Sequence, residues 1–293
     1  MTVNEFLQDL LKSQTPTSGM LDDLASSRGE VEGFLREKFG DSPKIRYAGS
    51  KAKGTMIKEN YDLDIICYFP RDCGSEIEEI YKDVYKKLQE KYSITPKTTA
   101  LRVQKIANDK SQIDYHIDVV PGRFVDEKEQ DAFLYQAQGK VKWIKTNLDT
   151  HIRFFKESGC VEVIKLAKIW NIRDNVNLKT FMLELLVVKC LSGSRSKSDL
   201  EISFKKVLEC MGDEIIKIRL EDPANTNNIV SDNCSEVEKN TVALRAKSAL
   251  SSINKDPGNT DVWRSIFKES SPAKVIAAGP SVIVRNPSKP WCI

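Results

Sequence analysis

Two aspartates separated by one residue, Asp62 and Asp64, stand in the stretch DLDIICYF at positions 62–69. The stretch is rich in β-branched and aromatic residues and reads as a strand. Side chains alternate faces along a strand, so both carboxylates point one way while Leu63 and Ile65 point into a core. Two carboxylates on one side repel unless a cation stands between them. Mg2+ meets that demand, because it takes hard oxygen ligands and shares its shell between carboxylates and substrate phosphates. Alone, such a pair is more often a solvated strand edge. The preceding residues, GSKAKGT from Gly49 to Thr55, shift the balance. Gly49 and Gly54 permit tight turns and close approach of a ligand. Ser50 and Thr55 carry hydroxyls, Lys53 adds a positive charge, and exposed N–H groups at such a junction bind anions. A third carboxylate would complete a two-metal site. The stretch QIDYHIDVVPG offers Asp114 and Asp118, with His116 between them. Asp118 runs directly into Val119 and Val120 and is expected deeper in the sheet, where a carboxylate needs a partner or a metal. Asp118 is therefore the third candidate. Asp114 is expected to be solvated near the turn, and His116 to be a neighbour rather than a ligand or base.

These residues need elements to hold them. The chain to about Phe39 reads as helix, with Gly40 as a stop. KIRYAG (44–49) reads as a strand, 76–92 as an amphipathic helix, and 99–107 and 112–120 as strands joined by the polar turn NDKS. From Pro121 to about Lys140 the chain reads as loop. Segments 160–173, 178–191, 199–212 and 236–253 each carry an apolar stripe at helical spacing. From Ser270 the sequence, broken by Pro and Gly, reads as an extended tail. The expected fold class is α+β, with a mixed β-sheet N-lobe flanked by helices and a helical C-lobe. The default site for such an outline is the cleft between the lobes.

Bulk properties narrow the function classes. The 293 residues carry a net charge of +3, too little for a strong overall field toward nucleic acid or a membrane. The seven cysteines (67, 73, 160, 190, 210, 234 and 292) form no CxxC pair and only two histidines are present, so no structural zinc site is expected. Reduced thiols in a cytoplasmic protein are expected instead. The start, MTVNEFLQDL, is acidic and amphipathic and is not expected to be a signal peptide. No apolar run approaches the length of a bilayer span, so no membrane partner is expected.

Gly-Ser, Gly-Thr, Asp-x-Asp and a later strand Asp together resemble the nucleotidyltransferase signature of the DNA polymerase β superfamily. VIKLAKIWN, LKTFMLELL and EDPANTNNIV add a pattern similar to 2′-5′ oligoadenylate synthases, cyclic GMP–AMP synthase and above all their bacterial relatives, the CD-NTases. The resemblance covers roughly Lys44 to Phe267. It implies a two-lobed nucleotidyltransferase fold, with a catalytic core lobe (1–145, including the N-terminal helices), a helical nucleotide-binding lobe (146–269) and a tail (270–293). It implies a metal triad of Asp62, Asp64 and Asp118 holding two Mg2+ ions, for which Mn2+ can substitute. Gly49 and Ser50 correspond to the phosphate-loop pair, and Lys53 to a basic loop position of the oligoadenylate synthases. Lys165 and Lys168, three apart on one helix, correspond to positions facing the triphosphate; without the resemblance they would read as a solvated face. Thr180 and Phe181 correspond to a polar contact and a base-stacking ring, although Phe181 could equally be core.

The activity so implied is template-independent nucleotidyl transfer from NTPs, ATP among them. The product would be a cyclic di- or trinucleotide second messenger of anti-phage (CBASS) signalling. A regulatory partner protein from the same operon, or a nucleic-acid activator, belongs to that picture. Three features depart from particular relatives: no Cys/His zinc insertion, no long basic stripe for duplex RNA, and a sequence ending KPWCI rather than in glycine. Two rivals remain. One is another template-independent enzyme, a linear oligoadenylate-type or a tRNA/RNA 3′-end nucleotidyltransferase; near-neutral charge and no recognisable RNA-binding appendage count against the RNA 3′-end reading. A catalytically silent nucleotide-binding module is weighed down by the intact set of three aspartates.

Overall fold

The structure, a computed structural model, describes residues 1–60, 63–104, 117–138, 141–194 and 197–269. They form two compact units. The first holds the described residues of Met1–Ser13, Glu162–Leu220 and Val230–Ile293; the second holds Gln14–Val161 and Glu221–Ile229. Helix α1 (Val3–Ser13) opens the chain and belongs with the first, helical unit.

The second unit is built on a seven-stranded mixed sheet. In chain order it contains α2 (Ser18–Phe39), β1 (Lys44–Ala48), the short α3 (Gly49–Lys53), β2 (Leu63–Phe69), α4 (Ile77–Gln89), β3 (Ser93–Pro96) and β4 (Leu101–Gln104). Then come β5 (Ile117–Phe124), β6 (Ala132–Tyr135), β7 (Trp143–Thr146) and α5 (Leu148–Glu157). The strand order is β1-β2-β5-β4-β3, with β6 continuing from β5 to β7. Only the central pair, β2 with β5, runs parallel among these strands.

The alternation expected of β2 holds. Leu63, Ile65, Cys67 and Phe69 enter one core with Leu101, Val103, Ile117 and Val119, packed against Leu24, Val31, Phe34 and Leu35 of α2 and Ile80, Val84 and Leu88 of α4. Each such side chain contributes about 1.5–3 kcal/mol on full burial, so this face fixes the register of the sheet. The opposite face is apolar only further along the strands, at Ile66, Tyr68, Val120 and Phe124. Asp64 and Asp118 lie on that second face, at the end where the apolar cover stops.

Two expectations fail in this unit. The loop expected from Pro121 to about Lys140 instead holds the second half of β5 and all of β6. Proline lacks an N–H and is excluded from the middle of most strands. Here β4 pairs only as far as Val119 and β6 only from Gly122, so Pro121 sits where one side of β5 has no neighbour. Helix α5 has no counterpart among the expected elements. Its signals were present: Asn147 accepts a hydrogen bond from the Thr150 N–H as N-cap, and Leu148, Ile152 and Phe155 fall at helical spacing. The two units divide between Val161 and Glu162, after α5.

The helical unit contains α6 (Val161–Arg173) from Glu162 onward, α7 (Thr180–Cys190) and α8 (Leu200–Asp213). After the β8 (Glu221–Asp222) and β9 (Asn225–Ile229) hairpin, which belongs to the sheet unit, come a 3-10 turn (Val230–Asn233), α9 (Glu236–Lys255) and α10 (Thr260–Ile266). Trp170, Phe204, Trp263 and Phe267 form its aromatic centre. Cys190 and Cys210 form a disulfide between α7 and α8, which corrects the expectation of reduced thiols throughout. The cysteines stand 20 residues apart, and only the packing of the two helices brings their Cα atoms to 5.8 Å. Cys67, Cys73, Cys160 and Cys234 are free. The expected tail from Ser270 lies outside the described residues.

Candidate active site

One row of residues across the sheet carries the site. Backbone register places Ala48 opposite Asp64, Asp64 opposite Asp118, Asp118 opposite Arg102, and Arg102 opposite Thr95. Residues in register on neighbouring strands point to the same face. The parallel pairing of β2 with β5 therefore sets two carboxylates side by side, although 54 positions separate them in sequence. Both are partly exposed rather than sealed in the core. Adjacent like charges destabilise a sheet, so this pair needs a cation.

Part of that need is met by Arg102, which is not among the residues expected in the site. Arg102 donates from Nε to Asp118 Oδ1 at 2.8 Å and from Nη2 to Asp118 Oδ2 at 2.9 Å. The fork is nearly enclosed, with side-chain exposures of 11% for Arg102 and 14% for Asp118. Two-pronged guanidinium–carboxylate pairs are among the stronger polar contacts. The stretch TALRVQKIA reads as a strand and no more. Nothing in it marks Arg102 without the register of β4 on β5.

Gly49 closes the row at the β1 end. It ends the strand with φ +73°, the left-handed region that favours glycine. A Cβ built on it would lie 1.8 Å from Asp64 Oδ2. Only glycine lets the chain pass this close to the Asp64 carboxylate, so the Gly-Ser turn and the aspartate form one unit. Ser50 lies in α3 and is partly exposed. Lys53 ends α3 with Nζ 5.0 Å from the centre of the Phe155 ring. Thr55, expected to offer its hydroxyl in the loop, is fully buried, with its N–H donating to the Ser50 carbonyl.

Asp62, Asp114 and His116 lie outside the described residues. Among the described residues no group of three or more His, Cys, Asp or Glu side chains gathers as a metal site. The described part of the expected triad is the pair Asp64 and Asp118. Its donor set suits a hard divalent cation: adjacent, partly accessible carboxylate oxygens beside a turn where a ligand backbone or phosphate can approach.

The remaining predicted residues belong to the helical unit. Lys165 and Lys168 differ sharply in environment. Lys165 is partly exposed and pairs with Glu162 one turn earlier at 2.9 Å, whereas Lys168 is only 2% exposed. A buried ammonium costs more than a solvated one, so Lys168 is not part of a simple solvated face. Thr180 and Phe181 begin α7 and both are partly exposed, which keeps Phe181 out of the unit's fully buried core. The start of α7 is held by Asn171 of α6. The Leu178 N–H donates to Asn171 Oδ1 at 2.9 Å, and Asn171 Nδ2 donates to the Leu178 carbonyl at 3.0 Å. A buried amide satisfied in both directions fixes the chain two residues before Thr180.

The DP…NN stretch also acquires a role. Asp222 on β8 is 4% exposed and sits 2.6 Å from Nε2 of His151 on α5. It accepts further bonds from the Ala224 N–H and from Asn228 Nδ2. Burial pushes its carboxyl up, but His151 and these donors outweigh burial and hold it below its ordinary value. Asn225 Nδ2 donates to the Lys145 carbonyl, tying β9 to β7. The segment is thus a clasp returning to the sheet unit.

This mixed sheet and its helices have the nucleotidyltransferase fold of the bacterial CD-NTases. The structure of Escherichia coli MS115-1 CdnC with ATP superimposes with a TM-score of 0.70 at 18% identity, covering 90% of this chain and 97% of that one. The complex of the same CdnC with HORMA-deltaN gives a TM-score of 0.68 at 16% identity, covering 90% and 96%. In sequence, the CBASS oligonucleotide cyclase CdnC of Escherichia coli (strain KTE188) is 23% identical over 277 residues, covering 80% of this chain and 86% of that protein. Residues 1–158 match the model of the Second Messenger Oligonucleotide or Dinucleotide Synthetase domain. The chain belongs to that family, and it is a nucleotidyltransferase.

Proposed function

We propose that this enzyme joins NTPs without a template, using two Mg2+ ions, into a cyclic oligonucleotide second messenger of CBASS anti-phage signalling. The observation that carries the reading is the register of Asp64 with Asp118 on neighbouring parallel strands, with Gly49 against the Asp64 carboxylate. Asp62, Asp64 and Asp118 are assigned as the metal-holding set. Bound there, Mg2+ would activate an attacking ribose hydroxyl and neutralise the pyrophosphate that leaves. Gly49 and Ser50 would cradle phosphate. Lys53, Lys165 and Lys168 are assigned to the triphosphate, and Thr180 and Phe181 to the base and its sugar.

ATP is proposed among the substrates, supported by the ATP-bound CdnC relative. A regulatory partner is proposed on the parallel of the CdnC:HORMA-deltaN complex. A nucleic-acid activator remains part of the same reading. Among the described residues no helix is long and apolar enough to cross a membrane.

The test is product analysis. The pure protein, with and without candidate activators, is incubated with labelled NTPs in Mg2+ and in Mn2+. Products are treated with phosphatase and identified by mass. The expected result is a phosphatase-resistant cyclic product from the native enzyme and none from folded Asp64→Asn. Phosphatase-sensitive linear oligomers would favour an oligoadenylate-type activity. Undiminished synthesis by folded Asp64→Asn would overturn the metal-site assignment.

A further inference from the structure

The Arg102–Asp118 fork has a consequence for how the site takes up metal. Both Asp118 oxygens accept from one guanidinium, at 2.8 and 2.9 Å. Asp64 stands beside Asp118 on the next strand, away from β4. A carboxylate held by a fork on both oxygens presents its best lone pairs to the fork rather than to a metal. The guanidinium also brings a fixed positive charge, which never titrates away in the working pH range. That charge stabilises two adjacent carboxylates in the absence of metal and repels a divalent cation approaching them.

We propose that Arg102 is a built-in counter-ion that competes with divalent metal for Asp118, so that the nucleotide-free enzyme binds metal weakly. Arg102 is a positioning residue in this scheme, acting through Asp118. The proposal rests on the assignment of Asp64 and Asp118 as metal ligands. The two predict different things: the assignment predicts that metal binding needs the aspartates, and the proposal predicts that it tightens when the guanidinium is removed.

The experiment is an Mn2+ titration of the full chain without nucleotide, followed by electron paramagnetic resonance. Far-UV circular dichroism and melting in EDTA and in Mn2+ accompany it. Arg102→Gln is expected to bind Mn2+ more tightly by on the order of tenfold. It should melt lower than the native protein in EDTA and recover more when Mn2+ is added. The gain should vanish in Arg102→Gln combined with Asp118→Asn. Should Arg102→Gln fail to fold, Arg102→Lys carries the test. It keeps the charge but loses the fork, and its Mn2+ affinity is expected to rise severalfold. A folded variant that melts lower yet binds Mn2+ no more tightly would make Arg102 a merely structural partner and overturn the proposal alone. Mn2+ binding indifferent to both Asp64→Asn and Asp118→Asn would overturn the metal assignment and the proposal with it.

Discussion

Replacing Gly49 with alanine tests the heart of the site, and the structure supplies its own control. Gly49 and Gly54 both adopt left-handed backbone, at φ +73° and +78°. An alanine at either position costs roughly 1–2 kcal/mol for that conformation. For a domain of this size, melting should fall by about 2–4 °C per kcal/mol. The two positions differ in what a methyl group meets. At Gly54 the nearest atom is Val161 Cγ1 at 3.9 Å, an ordinary contact. At Gly49 it is Asp64 Oδ2 at 1.8 Å, followed by Asp64 Cγ at 2.9 Å. To restore ordinary contact the carboxylate must retreat by more than about 1 Å, a displacement that costs on the order of 10²-fold in rate when it involves catalytic geometry. Gly54→Ala should therefore melt lower by a few degrees and keep most of its activity. Gly49→Ala should lose at least as much stability and about a hundredfold in initial rate. The assay is incorporation of α-labelled NTP under saturating Mg2+, alongside differential scanning fluorimetry. Equal activity in the two variants at comparable melting losses would refute the coupling between the Gly-Ser turn and the Asp64 carboxylate.

Two further outcomes follow from the site and the clasp. Phe181→Ala should raise the NTP KM by several fold with little change in melting, because the ring is partly exposed at the start of α7; a large melting loss with an unchanged KM would place the ring in a structural role. Asp222, whose carboxyl is held below its ordinary value of 3.8, contributes stability that is present above that value and is lost as pH falls through the lower folded-state value. Acid melting curves should therefore be flatter for Asp222→Asn than for the native protein below about pH 4, and parallel curves would remove Asp222 from the acid transition.

What could be read along the chain was local chemistry and period. The alternation of Asp64 with Leu63 and Ile65 placed the carboxylate on one face of a strand and the apolar residues in a core, and β2 bears this out. The helical stripes at 160–173, 178–191, 199–212 and 236–253 became α6, α7, α8 and α9 within a few residues. Gly40 ends α2 as expected. Those features follow from backbone geometry, which repeats every two or 3.6 residues and leaves its mark in neighbouring positions.

What joins distant segments left no such mark. Parallel pairing set Asp64 beside Asp118, and antiparallel pairing set Arg102 on Asp118; a shift of one residue would have sent each to the other face. The segment from Pro121 reads as loop, yet a proline's missing N–H matters only if a neighbour waits for it, and the gap between β4 and β6 is a property of the sheet. The disulfide of Cys190 with Cys210 and the clasp of Asp222 on His151 depend likewise on which surfaces pack together. The sequence alone supplied the candidate residues for metal and phosphate, because that choice rests on side-chain type and local spacing. The tertiary structure decided which of them meet, because register and packing are set by the burial of whole faces rather than by any one residue.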